Sequence, residues 1–229
     1  MAWQFVNTGY QSGSENMRVD GELVQTLTTG GDECFVRVYG WSPWAVSLGW
    51  NQSLEAIELE KTARAGIDVV RRPTGGRAIL HADELTYSVA MVADSKSVAG
   101  VYNEISRALV GGLRLLGVRA VLERSQPNFP GLYRSPSSVA CFVSSARHEV
   151  KIDGKKIVGS AQRRYAREDG REAVLQHGSI LLSREHRRLG EFLRLSDQQK
   201  RTVKEELEAR TTDLSTVSTR GRYIFTRFP

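Results

Sequence analysis

Arg71-Arg72-Pro73-Thr74-Gly75-Gly76-Arg77-Ala78-Ile79-Leu80-His81 sets two arginines before a proline, a glycine pair and a short apolar run. A strand-like segment, Ile67–Arg72, leads into it, and the apolar segment Glu84–Val92 follows, so its centre reads as a loop between strands. Glycines let backbone N–H groups come close to a ligand, and arginines bring permanent positive charge. That pairing suits a phosphate, a carboxylate or the carbonyl of an activated acyl group. It suits a plain hairpin connection equally well. A Walker-type nucleotide loop is ruled out, because no Gly-Lys-Ser/Thr follows the glycines.

Outward from this loop the chain alternates runs of strands with a few helices. On the N-terminal side, Ser14 is placed to cap a helix reaching about Leu27, with Met17, Leu23, Val24 and Leu27 as its apolar stripe. Phe35–Tyr39 and Ala45–Trp50 read as strands joined at Ser42-Pro43, and Leu54–Ala65 as a short helix closed by Gly66. On the C-terminal side, Val101–Leu116 shows apolar residues at helical spacing and ends at Gly117. Val118–Glu123 reads as a strand, and residues 124–137, with three prolines, as an irregular loop. Asp153-Gly154 signals a hairpin between His148–Ile152 and Lys155–Ala161. Ala173–Leu182 is a further strand, and Ser196 with Gln199 forms a capping box for a last helix to about Arg210. This order predicts an α+β fold in a single domain, residues 1–229.

The composition excludes several classes. Hydrophobic residues make up 40% and charged residues 25% of 229 residues, the balance of an ordinary globular domain with one core. No run approaches the roughly 20 apolar residues of a membrane span. The N-terminus lacks the charged and apolar regions of a secretory signal, so a cytoplasmic location is expected. Two cysteines, Cys34 and Cys141, make neither a disulfide framework nor a zinc site, and no metal is expected. The net charge of +6 is spread over arginine and lysine pairs with no basic tail. Scattered solvated charge and an acidic protein partner both account for it, and no nucleic-acid-binding signature accompanies it.

Two further segments carry chemistry. In Asp153-Gly154-Lys155-Lys156-Ile157-Val158-Gly159-Ser160-Ala161-Gln162, strand alternation puts Lys156 with Val158 and Ser160, opposite Lys155. One lysine then faces inward, where its charge needs a purpose such as holding a carbonyl or an oxyanion. The other reading makes both lysines guards of an edge strand. Gln176-His177-Gly178-Ser179 leaves a small-residue gap beside an imidazole, and a structural histidine is the reading favoured there.

Taken in order, Arg72–Val89, Gly154–Gln162 and Gln176–Leu182 resemble the catalytic domain shared by lipoate ligases, octanoyltransferases and biotin protein ligases. The resemblance spans about residues 67–182. It implies an α+β fold with a mixed or antiparallel sheet flanked by helices. It also implies that Lys156 is the lysine contacting the acyl carbonyl. By the same likeness Arg72, Thr74, Gly75, Gly76, Arg77 and His81 form the acyl-binding loop, with Gly159, Ser160 and Ala161 beside it. Ala140-Cys141-Phe142 stands where the cysteine-dependent octanoyltransferase branch carries its nucleophile, although Val139–Val143 reads equally as a core strand by composition. Ala82 stands where both branches usually carry aspartate. The resemblance therefore implies transfer of an octanoyl group from acyl carrier protein, through a thioester on Cys141, to a lysine of a lipoyl domain or a glycine-cleavage H-type protein. No cofactor is required in that scheme. The alternative is a lipoate ligase that uses ATP and magnesium and passes through an acyl-adenylate.

Overall fold

A computed structural model describes residues 2–94, 96–123 and 149–217. Among them a seven-stranded sheet runs β1-β2-β6-β10-β9-β8-β7. Its strands are β1 (Trp3–Gln11), β2 (Cys34–Trp41), β6 (Glu84–Val92), β7 (Val121–Glu123), β8 (Glu149–Ile152), β9 (Lys155–Ala166) and β10 (Glu172–Leu181). Only β1 and β2 pair in parallel; the other neighbours are antiparallel. A second sheet of three strands places β3 (Ala45–Leu48) between β4 (Asp68–Arg71) and β5 (Ile79–His81). The helices are α1 (Gly13–Thr28), α2 (Leu59–Arg64), α3 (Val98–Leu115), α4 (Asp197–Arg210) and α5 (Leu214–Val217). This is the α+β architecture that the order of elements predicts, and its sheet is the mixed one of the two kinds, mixed or antiparallel, that the resemblance implies.

Rows of paired residues fix which side chains share a face, because directly opposed residues point the same way. Arg37, Ser88, His177 and Ala161 form one row, and Val38, Tyr87, Gly178 and Ser160 the next. The first row faces α1 and the second faces α3. On the α1 side, Val24 and Leu27 pack on Phe35, Ala90, Val92 and Leu175. On the α3 side, Val101, Ile105 and Leu113 pack on Val89, Met91, Val174 and Ile180. Val101 and Ile105 stand one turn apart on α3, which is why its apolar period shows so clearly in the sequence. The small sheet buries Val46, Leu48 and Leu80 against Leu189, Phe192, Val203 and Leu207.

Element ends follow their local chemistry. Ser196 and Gln199 make the reciprocal capping box at the start of α4. Asp153 and Gly154 both take positive φ, 48° and 78°, as a two-residue hairpin between β8 and β9 requires. Two expectations shift, and one strand was not expected. Helix α1 is capped by Ser12, whose side chain accepts from the Glu15 amide, and begins before Ser14. Residues predicted as one helix from Leu54 split into a 3₁₀ turn, Leu54–Ala56, and α2. Strand β1 is an edge strand whose Trp3, Phe5 and Tyr10 stay exposed, so its sequence lacks the alternation of a half-buried strand.

Candidate active site

The loop between β4 and β5 is built around Arg72. This side chain is buried, and its guanidinium donates to oxygens of Ser47, Gly75 and Arg77. Nε and Nη2 both donate to the Gly75 carbonyl, at 3.2 and 2.9 Å, and Nη2 also donates to the Arg77 carbonyl at 2.7 Å. Nη1 donates to the carbonyl and the hydroxyl of Ser47, at 3.1 and 3.0 Å. Arg72 therefore shapes the loop from within, with donors turned to the loop's own carbonyls. Gly49 lets the loop pack closely, because a Cβ there would lie 2.1 Å from the Gly76 carbonyl oxygen.

Two imidazole–carboxylate pairs lie beneath this loop. His81 places Nδ1 2.8 Å from Glu84 Oε1 and Nε2 2.7 Å from Ser47 Oγ, the hydroxyl that Arg72 also holds. Trp41 stacks on the His81 ring at 4.0 Å and donates its indole N–H to Thr86 Oγ1. Burial pushes the Glu84 carboxyl up. His81 and the hydroxyls of Ser179 and Thr86 outweigh that and hold it below the ordinary glutamate value. The second pair is His177 and Asp20, with Nδ1 3.0 Å from Oδ2; His177 Nε2 faces the Thr74 hydroxyl at 2.6 Å. Burial lowers the His177 pKa, and the nearby Asp20 only partly opposes it.

A narrow cavity of about 20 Å³ opens beside these groups. Met17, Tyr39, Trp41 and Ile79 give it apolar walls, and Arg72, His81, His177 and Ser179 line it as well. Gly159, Ser160, Ala161 and Gly178 complete it across the sheet. Gly178 has no room for a side chain: a Cβ would stand 2.4 Å from the Gly159 carbonyl and 2.8 Å from Ser160 Oγ. The small-residue gap in His177-Gly178-Ser179 is therefore the space that the Ser160 and Tyr87 side chains occupy, their hydroxyls 2.7 Å apart.

Of the residues singled out from sequence, Arg72, His81, Gly159, Ser160 and Ala161 line this one cavity. Thr74 lies buried behind it through His177, and Gly75, Gly76 and Arg77 follow in the loop that Arg72 holds. Lys156 is the inward-facing lysine of its pair, 6% exposed, with Nζ 2.8 Å from the Glu149 carboxylate. Lys155 is exposed and donates to the Glu208 carbonyl. Lys156 is not among the residues lining the cavity, and a register shift between β8 and β9 beside it interrupts the simple alternation read from sequence. Cys34 is buried in the core below α3, as a structural cysteine. Cys141 lies outside the described residues.

Asp20, Asn16 and Arg37 were not singled out from sequence, yet Asp20 anchors one of the two histidines. Asn16 and Asp20 fall on the buried stripe of α1 between Gly13 and Val24. Polar residues at inward positions of an amphipathic helix are the signal that marks them. Arg37 is fully buried and donates to Asp20 at 2.7 Å, with Asn16 Oδ1 also at 2.7 Å.

Fold and cavity together define an α+β domain with an arginine-braced glycine loop beside a small, largely apolar pocket. Residues 12–222 match the family described as the lipoyl protein ligase A/B catalytic domain. The chain is 38% identical over 214 residues to octanoyltransferase LipM of Geobacillus kaustophilus, covering 90% of this chain and 73% of that protein. It is 40% identical to octanoyltransferase LipM of Kyrpidia tusciae, covering 89% of this chain and 76% of that protein. The fold superposes on a bipartite lipoate protein ligase of Thermoplasma acidophilum with a TM-score of 0.72, at 21% identity, covering 97% of this chain and 80% of that one. A lipoate-protein ligase A structure bound with ATP gives 0.70 at 22% identity, covering 97% and 81%. The chain belongs to the lipoyl protein ligase A/B catalytic domain family.

Proposed function

We propose that this chain is an octanoyltransferase of protein lipoylation that works through a thioester on Cys141. The activity itself, octanoyl transfer in the manner of the LipM enzymes, is carried by one observation: identity of 38–40% over about nine-tenths of the chain to octanoyltransferases of that type. The finer steps are the reading that chemistry supports. The Cys141 thiolate attacks the carbonyl of an octanoyl thioester on acyl carrier protein. A new C–S bond forms to Cys141, the carrier's C–S bond breaks, and the carrier thiol leaves with a proton. An acceptor lysine on a lipoyl domain or a glycine-cleavage H-type protein then attacks the enzyme thioester. The amide forms, the lysine proton is released, and the Cys141 thiolate returns. Conversion of thioester to amide is downhill, so the scheme calls for neither ATP nor a metal.

Lys156 is assigned to the acyl carbonyl, and Arg72, Thr74, Gly75, Gly76, Arg77 and His81 to the loop against which the acyl group docks. The shared cavity of Arg72, His81, Gly159, Ser160 and Ala161 supports that assignment. Met17, Trp41 and Ile79 give the space beside the loop apolar walls. The site of action is the cytoplasm. Among the described residues no helix is long and apolar enough to cross a membrane.

The test is intact-mass spectrometry after mixing the purified chain with octanoyl carrier protein, in the absence of ATP. The expected result is one octanoyl adduct on the enzyme, absent in Cys141→Ala, followed by an octanoyl adduct on an added lipoyl domain. Transfer that requires ATP and free octanoate, and persists in Cys141→Ala, overturns the thioester in favour of an adenylate-forming ligase.

A further inference from the structure

We infer that His177 is a positioning residue: Asp20 holds it as the Nδ1–H tautomer, and its bare Nε2 anchors Thr74 and so fixes the acyl-docking loop. This rests on the proposed function for what the loop holds. The geometry of the relay is independent of it.

The argument starts at Asp20, fully buried on α1. Its Oδ1 accepts from Arg37 Nη1 and from Ser88 Oγ, both at 2.7 Å. Its Oδ2 accepts from the Tyr39 hydroxyl at 3.0 Å and lies 3.0 Å from His177 Nδ1. A carboxylate surrounded by three donors has only lone pairs to offer a fourth neighbour, so the proton between it and His177 sits on Nδ1. In the neutral ring that leaves Nε2 as an acceptor. The atom 2.6 Å away is Thr74 Oγ1, which must then be the donor.

Thr74 is the residue through which this order reaches the loop. It is fully buried, and its carbonyl accepts from the Trp50 amide at 2.9 Å. The residue is thus held at its side chain and at its backbone, directly ahead of Gly75. Arg72 fixes the carbonyls of Gly75 and Arg77 from inside the loop, while the Thr74 hydroxyl ties the same loop to the main sheet through β10. Gly75 and Gly76 have the widest backbone freedom in the segment, and Gly76 takes φ 89°. A glycine pair keeps one conformation only if its neighbours are pinned, and His177 pins the one on its N-terminal side. Asp20 does not touch the cavity; its effect on the loop passes through His177 and Thr74.

The test combines a spectroscopic and a kinetic readout. The chain has four histidines, so ¹⁵N-histidine NMR with His177→Gln identifies the His177 signals. The expected pattern is a protonated Nδ1 and an unprotonated, hydrogen-bonded Nε2. Thr74→Val should move Nε2 to the shift of an unbonded ring nitrogen. At saturating substrates it should also lower the rate of octanoyl transfer by about 10- to 100-fold, as displaced positioning groups do. Thr74→Ser, which keeps the hydroxyl, should restore both readouts. A proton found on Nε2 of the unaltered protein overturns the inference without any variant, whatever the fold of Thr74→Val. So does a folded Thr74→Val that transfers at the original rate. If the unaltered protein transfers no octanoyl group without ATP, the functional reading fails instead, and the NMR pattern still decides the relay.

Discussion

Lys156 and Glu149 meet at 2.8 Å with their side chains only 7% and 3% exposed, so the lysine assigned to the acyl carbonyl already has a buried counter-ion. Both belong to the β8–β9 hairpin, and neither charge is solvated enough to stand alone. Removing one partner breaks a buried ion pair, a change that typically costs about 3–5 kcal/mol. Lys156→Met is therefore expected to lose stability as well as transfer. The double variant Lys156→Met/Glu149→Leu should recover most of the stability, since apolar replacement of a whole buried pair is often neutral. It should not recover transfer. Urea midpoints with single-turnover acylation separate the two effects; a double variant that regained transfer would make Lys156 purely structural.

Gly49 and Gly76 touch backbone to backbone. In Gly49→Ala the new Cβ would lie 2.1 Å from the Gly76 carbonyl oxygen, and no flexible side chain is there to yield. The loop must move away, which breaks the register that Arg72 and Thr74 hold. The expected outcome is a folded protein with octanoyl transfer reduced by about 100-fold. Gly178→Ala meets the Gly159 carbonyl at 2.4 Å in the middle of the large sheet, so there a loss of soluble protein is expected. Circular dichroism and transfer rates on the two variants check the contrast.

The fold was most legible where one period dominates. The helically spaced run Ile105, Ala108, Leu109, Gly112, Leu115 and Leu116 announces α3, although Leu115 and Leu116 are exposed and Leu113 is buried instead. Glu84–Val92 matches β6 to the residue, and Ser196 with Gln199 starts α4 where the capping box predicts. Strand β1 was illegible because its large side chains are exposed on an edge, where burial imposes no pattern. The loop could be read from its glycines and arginines, but not the role of Arg72, whose donors turn inward because the carbonyls of Gly75, Arg77 and Ser47 converge on them. Asp20 was hidden for a related reason. Its partners Arg37, Ser88 and His177 come from three different strands and meet only once the sheet is assembled.

Basic residues near the site divide into two kinds. Arg167 and Arg171 are tied to Asp169 and Asp32 at 2.8–3.2 Å, closing the β9–β10 turn onto the start of β2. Arg163 instead donates to the Pro73 carbonyl at 2.9 Å and lies 4.5 Å over the exposed Trp50 ring, at the loop itself. An acidic carrier approaching the cavity would meet Arg163 and find Arg167 and Arg171 already neutralised. Arg163→Glu is expected to slow transfer from the carrier several-fold at low salt and less at high salt, and Arg171→Ala to leave it unchanged. Initial rates against ionic strength check this. An equal effect of the two variants would remove any steering by Arg163.

Acid should weaken the fold in two separable stages. His186 is buried, with Nδ1 3.1 Å from the Ser183 carbonyl and Nε2 2.8 Å from Thr211 Oγ1. Burial, opposed only in part by the Ser183 carbonyl, lowers its pKa to about 4. The unfolded chain, with a histidine pKa of about 6.5, then binds more protons than the folded one between those values. Stability from this group is complete above about pH 6.5 and is lost as the pH falls towards 4, by about 3 kcal/mol in all. His177, lowered by burial in the same way, adds to the slope in this window. Asp20 and Glu84 behave oppositely: burial raises each, their hydrogen-bond partners outweigh it, and both end below the ordinary carboxylate value. Their contribution is retained until the pH drops below about 4 and is lost only beneath that. His186→Gln should therefore flatten the decline between pH 6.5 and 4 and leave the steeper loss below it untouched. Urea midpoints measured at half-unit steps from pH 7 to 3 test this, and an unchanged upper slope in the variant would show that His186 is not the group that titrates.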